Sequence, residues 1–173
     1  MSRFTATDPN THQSENIWFT PAEIIKNLGE FDMDVCTVSY RPFNIGKKHI
    51  EHDKFQDSLK QKWEGFVWMN PPCGKEIEPF IEKFKEHNNG IALVFARMGT
   101  HWMQDWINRG GDIFFLRKRV RFIDRHGSKS TNAGTDSCLL LAGSEAKKRV
   151  ILSGLDGVFL KENNKPQAQL SNN

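Results

Sequence analysis

The sequence lacks the features that mark several special classes of protein. Only three of its 173 residues are cysteines, so disulfides are not expected to hold the chain together, and the odd number fits a reducing cytoplasm. Apolar runs such as residues 91–96 have the length of strands, so no membrane-spanning helix is expected. No secretory signal is visible at the N-terminus. The six histidines lack the paired spacing of metal ligands, so we expect no metal.

An excess of charge is also missing. The 24 lysines and arginines exceed the 21 acidic residues by a net charge of +3, which is too mild to indicate a polyanionic partner. The content of 38% hydrophobic and 26% charged residues is typical of a globular protein. The length suits one domain, which we place at residues 16–160 between a polar leader, residues 1–15, and a polar tail, residues 161–173.

The apolar pattern predicts alternating helices and strands. Helices are predicted after the capping signal of Thr20, Pro21 and Glu23 up to Gly29, at residues 58–63, around Ile77, Phe80, Ile81 and Phe84, and at residues 100–108. Strands are predicted at residues 31–38, 49–55, 65–69, 91–96, 112–116, 119–123 and 137–142. This order predicts an α/β sandwich with a mostly parallel sheet and a C-terminal antiparallel hairpin.

One loop carries groups suited to chemistry. The sequence Asn70-Pro71-Pro72-Cys73-Gly74 directly follows an apolar strand, and two consecutive prolines cannot continue a central strand. Ligands of open α/β sheets bind beyond the carboxyl ends of the strands. Taken alone, the loop is equally well a tight turn. The side-chain oxygen of Asn70 and the backbone oxygen of Pro71 nevertheless form two acceptors that suit a planar NH2 group.

Five segments occur in the order found in a known family. They are Trp18-Phe19-Thr20-Pro21, Phe31-Asp32-Met33-Asp34-Val35-Cys36, Asp57-Ser58-Leu59 with Trp63, Asn70-Pro71-Pro72, and Arg119-Val120-Arg121-Phe122. With them the chain resembles the phage-type DNA N-6-adenine methyltransferase (Dam) family over about residues 18–143. The resemblance implies a three-layer, Rossmann-like methyltransferase fold. It also implies methyl transfer from S-adenosylmethionine to adenine N6 in DNA, in a bacterial cytoplasm, by a phage or prophage protein.

The resemblance implies roles for individual residues. The catalytic loop would comprise Asn70, Pro71, Pro72 and Cys73, and the cofactor would be bound by Trp18, Thr20, Pro21, Asp34 and Asp57. Asp34 can pair with the ammonium of the methionine moiety or simply form a turn, and Asp57 can bind the cofactor's amino group or cap a helix. A glycine-rich first motif is absent, and only 36 residues separate Asp34 from Asn70, so the cofactor half is expected to be abridged.

Cys73 departs from the family pattern, which has an aromatic residue there to stack on the target base. Phe122 and Trp102 are the candidates to close the base pocket instead. Pro72-Cys73 is also the dipeptide that carries the thiolate nucleophile of cytosine-C5 methyltransferases. That alternative is disfavoured because no Glu-Asn-Val element follows the cysteine.

A basic segment follows the fourth predicted helix. Between residues 117 and 129 there are six basic residues and one acid. A charge run is usually a solvated surface, but beside a base-modifying loop it is suited to contacting phosphates and helping to extrude an adenine. We therefore predict a basic hairpin and loop that binds DNA through Arg117, Arg119, Arg121, Phe122, Arg125 and Lys129.

Two alternatives to a DNA methyltransferase remain at this stage. The same pair of acceptors suits another planar amine, such as an RNA base or a glutamine amide. The domain can also be a DNA-binding module with a decayed catalytic site, which Cys73 favours.

Overall fold

The computed structural model describes residues 18–38, 40–51, 56–123 and 135–160. The leader, the tail, the end of the second predicted strand, Arg125 and Lys129 lie outside the described residues. The elements, in chain order, are α1 (Ala22–Leu28), β1 (Phe31–Thr37), β2 (Gly46–Glu51), α2 (Gln56–Lys60), β3 (Val67–Met69), α3 (Ile77–His87), β4 (Gly90–Phe95), α4 (His101–Asn108), β5 (Asp112–Leu116), β6 (Ser137–Ala142), α5 (Ser144–Leu152) and β7 (Gly157–Phe159).

The seven described strands form one sheet in the order β2-β1-β3-β4-β6-β5-β7. Strands β2, β1, β3 and β4 pair in parallel. Strand β6 is antiparallel to both β4 and β5, and β7 is antiparallel to β5. Five of the seven strands therefore run in the same direction, which confirms the mixed α/β class and the mostly parallel sheet.

Helices cover both faces of the sheet because the central strands are apolar on both sides. In β4, Ala92 and Val94 pack in the cluster that contains α3 and α4. Ile91 and Leu93, which alternate with them, pack in the cluster that contains α1 and α5. Strand β6 alternates in the same way, and all three residues of β3 are buried. Continuous apolar runs are what strands buried on both faces require.

The C-terminal part differs from the prediction. Strand β6 is inserted between β4 and β5, so the antiparallel strands are not a hairpin added at the edge of the sheet. The strand predicted at residues 119–123 is wrong, since only Ile123 pairs, in an isolated bridge with Phe19. Helix α5 and strand β7 were not predicted. Only Ala146 and Val150 of α5 are buried, so its apolar period is weak.

Several helix and strand boundaries also differ from the predicted ones. Strand β2 begins at Gly46 rather than at residue 49. A Cβ at Gly46 would lie 2.5 Å from the backbone nitrogen of Asp34. Only glycine permits this close approach. The helix N-cap is Pro21, and no side chain among the described residues caps α1, so the predicted Thr20 cap is wrong. Asp57 lies within the first turn of α2 rather than before it.

No described helix is long and apolar enough to cross a membrane. The described residues also contain no group of three or more His, Cys, Asp or Glu side chains that could hold a metal ion.

Candidate active site

The loop after β3 lies beside the loop after β4 at one edge of the sheet. The two strands are parallel, with Met69 opposite Ala92, so their carboxyl ends coincide. An open cleft of about 450 Å³, which includes solvent at its mouth, lies at this edge. Its walls are formed by Pro71, Cys73, Gly74, Ile77, Leu93, Val94, Phe95, Arg97, Thr100, Trp102 and Phe122. This is where an open α/β sheet binds its ligands.

The side chain of Asn70 is held in a defined orientation. Its Nδ2 donates a hydrogen bond to the backbone oxygen of Trp18 at 3.1 Å. The amide nitrogen is therefore directed at Trp18, and no described residue donates to the side-chain oxygen. Because the amide is planar, the oxygen is presented on the side away from Trp18.

Three segments that resembled the family come together around Asn70. Trp18 contacts Asn70 directly, although 52 positions separate them in the chain. The neighbouring Phe19 exchanges two backbone hydrogen bonds with Ile123, at 2.8 and 2.9 Å. This bridge places the N-terminal segment beside the late segment that contains Phe122, whose ring lines the cleft.

Both aromatic candidates for base stacking line the cleft. Phe122 is 8% exposed and packs edge-on against Phe95, with ring centroids 6.0 Å apart. Trp102 is buried in the core cluster of α3 and α4. The cleft therefore has aromatic walls from two different parts of the chain.

The Cys73 thiol is not activated as a nucleophile. Neighbouring atoms desolvate the sulfur and raise the pKa of the Cys73 thiol above its usual value of 9.0, although the charge of Arg97 acts in the opposite direction. A protonated thiol is a poor nucleophile at neutral pH. This finding disfavours the cytosine-C5 alternative.

Replacing Cys73 with alanine tests that conclusion. We expect Cys73→Ala to retain methyl transfer within about threefold of the wild type, because no covalent bond to the sulfur is needed. The measurement is the initial rate of label transfer to DNA. A complete loss of activity with an unchanged unfolding midpoint would restore the thiolate alternative.

The predicted cofactor residues form two groups, neither of which lines the described cleft. Trp18, which lies just before Thr20 and Pro21 in the chain, contacts Asn70, whereas Asp34 lies on β1. Helix α2, which carries Asp57, is tied to β1 because the Ser58 hydroxyl donates to the Val35 oxygen. Lys83 Nζ donates to the Ser58 and Leu59 oxygens of the same helix, at 2.9 and 2.8 Å.

Asp34 is a buried carboxyl with few partners. It is 3% exposed, and its Oδ1 accepts one hydrogen bond from the Cys36 N–H at 3.2 Å. Burial raises the pKa of the Asp34 carboxyl to about 7, although that hydrogen bond and the charge of Arg41 lower it. An isolated buried carboxylate is costly, which explains the direction of the shift.

Other buried polar groups lie on the same side of the sheet. His49 of β2 and Trp68 of β3 are the register partners of Asp34, so the three side chains share one face. His49 Nε2, Trp68 Nε1 and Thr20 Oγ1 are buried without a hydrogen-bond partner among the described residues. Such groups normally find partners, so they indicate a place where a polar ligand can bind.

The basic segment is not a hairpin in the described residues. Arg117 and Arg119 form exposed ion pairs with Asp156 and Asp136, at 2.7 and 2.9 Å. Exposed pairs of this kind contribute little to stability. Arg121 is exposed, and Arg125 and Lys129 lie outside the described residues.

Sequence reasoning missed Arg97, which lines the cleft. The sequence did contain a signal for it. Arg97 follows the apolar run of β4, and because β3 and β4 are parallel it lies at the same edge of the sheet as Asn70, which follows β3. The rule that ligands bind beyond the carboxyl ends of parallel strands applies to β4 as it does to β3.

The mixed sheet, five helices and edge cleft are consistent with a methyltransferase-like fold. The family described as DNA N-6-adenine-methyltransferase (Dam) matches residues 8–165, and the chain belongs to this family. Membership implies methylation of adenine N6 in DNA, and methyltransferases generally use S-adenosylmethionine. No curated protein and no solved structure matches the chain significantly.

Proposed function

We propose that this protein transfers a methyl group from S-adenosylmethionine to N6 of an adenine that is turned out of the DNA duplex. Membership of the Dam family supports the reaction. The observation that carries the proposal is the orientation of Asn70, whose amide nitrogen is held by Trp18 and whose oxygen remains an acceptor. Asn70 is not itself among the residues that line the cleft, but it directly precedes Pro71, which is.

The amine of adenine needs activation because its lone pair is delocalised into the ring. In our proposal the Asn70 side-chain oxygen and the Pro71 backbone oxygen accept hydrogen bonds from its two N–H groups. These bonds favour a more tetrahedral nitrogen whose lone pair faces the methyl group. When bound, the cofactor supplies that methyl as an electron-poor carbon. The N–C bond forms as the bond from that carbon to the cofactor sulfur breaks, and the nitrogen releases one proton to water.

The aromatic walls of the cleft suit a flipped base. Phe122 and Trp102 both line it, and the cleft is open to solvent. A base inside the stack cannot reach the Asn70 loop, so the adenine must leave the duplex before transfer. Stacking of the extruded adenine on an aromatic side chain offsets part of the free energy needed to extrude it.

The polar groups beside β1 fit the amino-acid end of the cofactor. An ionised Asp34 can hold its ammonium group, and within the part of the chain that the structure describes Asp34 accepts a single hydrogen bond. The unpartnered Trp68 N–H and Thr20 hydroxyl are polar groups that a bound carboxylate or ribose would satisfy. The residues present therefore fit this cofactor. As the family resemblance implies, we further propose that the protein acts in a bacterial cytoplasm.

The reaction is tested by supplying the purified protein with methyl-labelled S-adenosylmethionine and, separately, with duplex DNA, RNA or cellular protein. We expect label in DNA, and digestion to nucleosides should give N6-methyladenine. Label that appears only in RNA or in glutamine would identify a different acceptor. If calorimetry shows salt-sensitive DNA binding but no cofactor binding, the domain is a binding module and the proposal is wrong.

A further inference from the structure

The loop between β4 and α4, residues 97–100, is firmly held. The Thr100 hydroxyl and backbone N–H both donate to the Arg97 oxygen, at 2.8 and 3.1 Å. Gln104 Nε2 donates to the Met98 oxygen at 2.6 Å. Two hydrogen bonds within the loop and one from helix α4 therefore hold the loop in a defined conformation.

This loop adjoins the candidate active site. Arg97 and Thr100 line the cleft, and the charge of Arg97 acts on the Cys73 thiol across it. Met98, between them, is 39% exposed, and a Cβ added at Gly99 would meet no atom within 4 Å. A partly exposed apolar residue therefore lies in this hydrogen-bonded loop, between two residues that line the cleft.

Arg97 differs from the arginines of the basic segment. Arg117 and Arg119 are paired with carboxylates, whereas no acidic side chain among the described residues lies within ion-pair distance of Arg97. A guanidinium in that position is available for a phosphate, to which it can bind in a bidentate manner.

We propose that residues 97–100 form a DNA-insertion loop, in which Met98 enters the base stack where the adenine has left and Arg97 binds an adjacent phosphate. Extrusion of a base leaves an apolar gap, and methionine is one of the side chains that proteins insert between bases. The proposal rests on the proposed function, since it requires a flipped adenine in the cleft.

The contribution of Met98 is tested on an oligonucleotide that contains the methylation site mapped by sequencing. The target adenine is placed opposite thymine in one duplex and opposite an abasic site in the other. For Met98→Ala we expect kcat/KM to fall about tenfold or more on the paired duplex, and about twofold or less on the abasic one, where extrusion costs less. Met98→Leu should retain activity on both.

Leu152→Ala is the matched control, because Leu152 is an exposed apolar residue, 74% exposed, that does not line the cleft. It should behave as the wild type on both duplexes. Equal losses on the two duplexes, or no loss for Met98→Ala, would overturn the insertion role of Met98.

The contribution of Arg97 is tested by DNA binding at several salt concentrations. Arg97→Gln should weaken binding and reduce the slope of log Kd against log salt concentration by about one, as expected for one lost phosphate contact. Arg97→Lys should preserve the slope. Arg109→Gln, which removes a charge at the opposite end of α4, is the control and should leave the slope unchanged.

The outcomes separate the two proposals. If the wild type methylates duplex DNA while Arg97→Gln has the wild-type slope and Met98→Ala the wild-type rates, the loop proposal alone is wrong. If the wild type methylates no DNA, the proposed function fails and the loop proposal fails with it.

Discussion

Replacing Asn70 with alanine is expected to reduce methyl transfer to DNA by about a thousandfold, the effect typical of losing one preorganised polar group that acts on the reacting atom. Alanine removes the acceptor oxygen while the Pro71 backbone oxygen stays in place. The measurement is the single-turnover rate of N6-methyladenine formation at saturating cofactor. Because Asn70→Ala also removes the hydrogen bond to the Trp18 oxygen, the free energy of unfolding should fall by about 1 kcal/mol, as in the control below.

Two further variants make this test specific. Asn70→Asp keeps an acceptor oxygen but places a second oxygen against the Trp18 carbonyl, so its rate should lie between those of the wild type and Asn70→Ala. Asn89→Ala is the matched control. Asn89 Nδ2 also donates one hydrogen bond to a backbone oxygen, that of Gly65 at 2.9 Å, but at the amino ends of β3 and β4.

Asn89→Ala should lower the free energy of unfolding by about 1 kcal/mol and leave methyl transfer unchanged. An Asn70→Ala variant that stays within tenfold of the wild-type rate would show that the side-chain oxygen of Asn70 does not act on the substrate. The proposed arrangement of the two acceptors would then be wrong.

Replacing Asp34 with asparagine is expected to stabilise the protein above neutral pH. Burial raises the pKa of this carboxyl from 3.8 to about 7 in the folded protein. Between these values the folded state binds more protons than the unfolded state, so the wild-type free energy of unfolding decreases as pH rises from about 4 to about 7. Asparagine does not titrate, so the free energy of unfolding of Asp34→Asn does not decrease with pH for this reason.

Urea unfolding of both proteins at pH 5 and pH 8 measures the effect. The stability of Asp34→Asn relative to the wild type should rise by about 3 kcal/mol over this interval. Asp32→Asn is the control, because a hydrogen bond from the Phe66 N–H and the charge of Lys47 hold the pKa of Asp32 below its usual value of 3.8. Asp32 is therefore ionised in both the folded and the unfolded protein throughout this interval, and the stability of Asp32→Asn relative to the wild type should be the same at pH 5 and pH 8. A difference for Asp34→Asn that does not change with pH would contradict the prediction.

The same substitution is expected to impair cofactor binding. Only the ionised form of Asp34 can pair with an ammonium group, so the affinity of the wild type for S-adenosylmethionine should increase about tenfold between pH 6 and pH 8. Asp34→Asn should bind weakly and without this pH dependence. Calorimetric titration at pH 6, 7 and 8 measures both. A more stable variant that binds less cofactor would show that Asp34 is kept for function at a cost in stability.

Local sequence patterns determined much of the scaffold. The positions Ile77, Phe80, Ile81 and Phe84 are all buried on α3, and strands β5 and β6 have the predicted bounds. These predictions succeeded because the period of apolar residues follows directly from which side of an element faces the core. The patterns also indicated that the chain must leave the sheet at Asn70, because two prolines follow it.

Only the tertiary structure decided which distant groups meet. Strand β6 lies between β4 and β5, Trp18 holds the amide of Asn70, and Arg97 stands across the cleft from Cys73. Threonine is a residue type that often caps helices, but the Thr20 hydroxyl is buried and does not cap α1, because Pro21 takes the N-cap position. Strand order and contacts between segments depend on the packing of the whole chain, which the local period of a sequence does not encode.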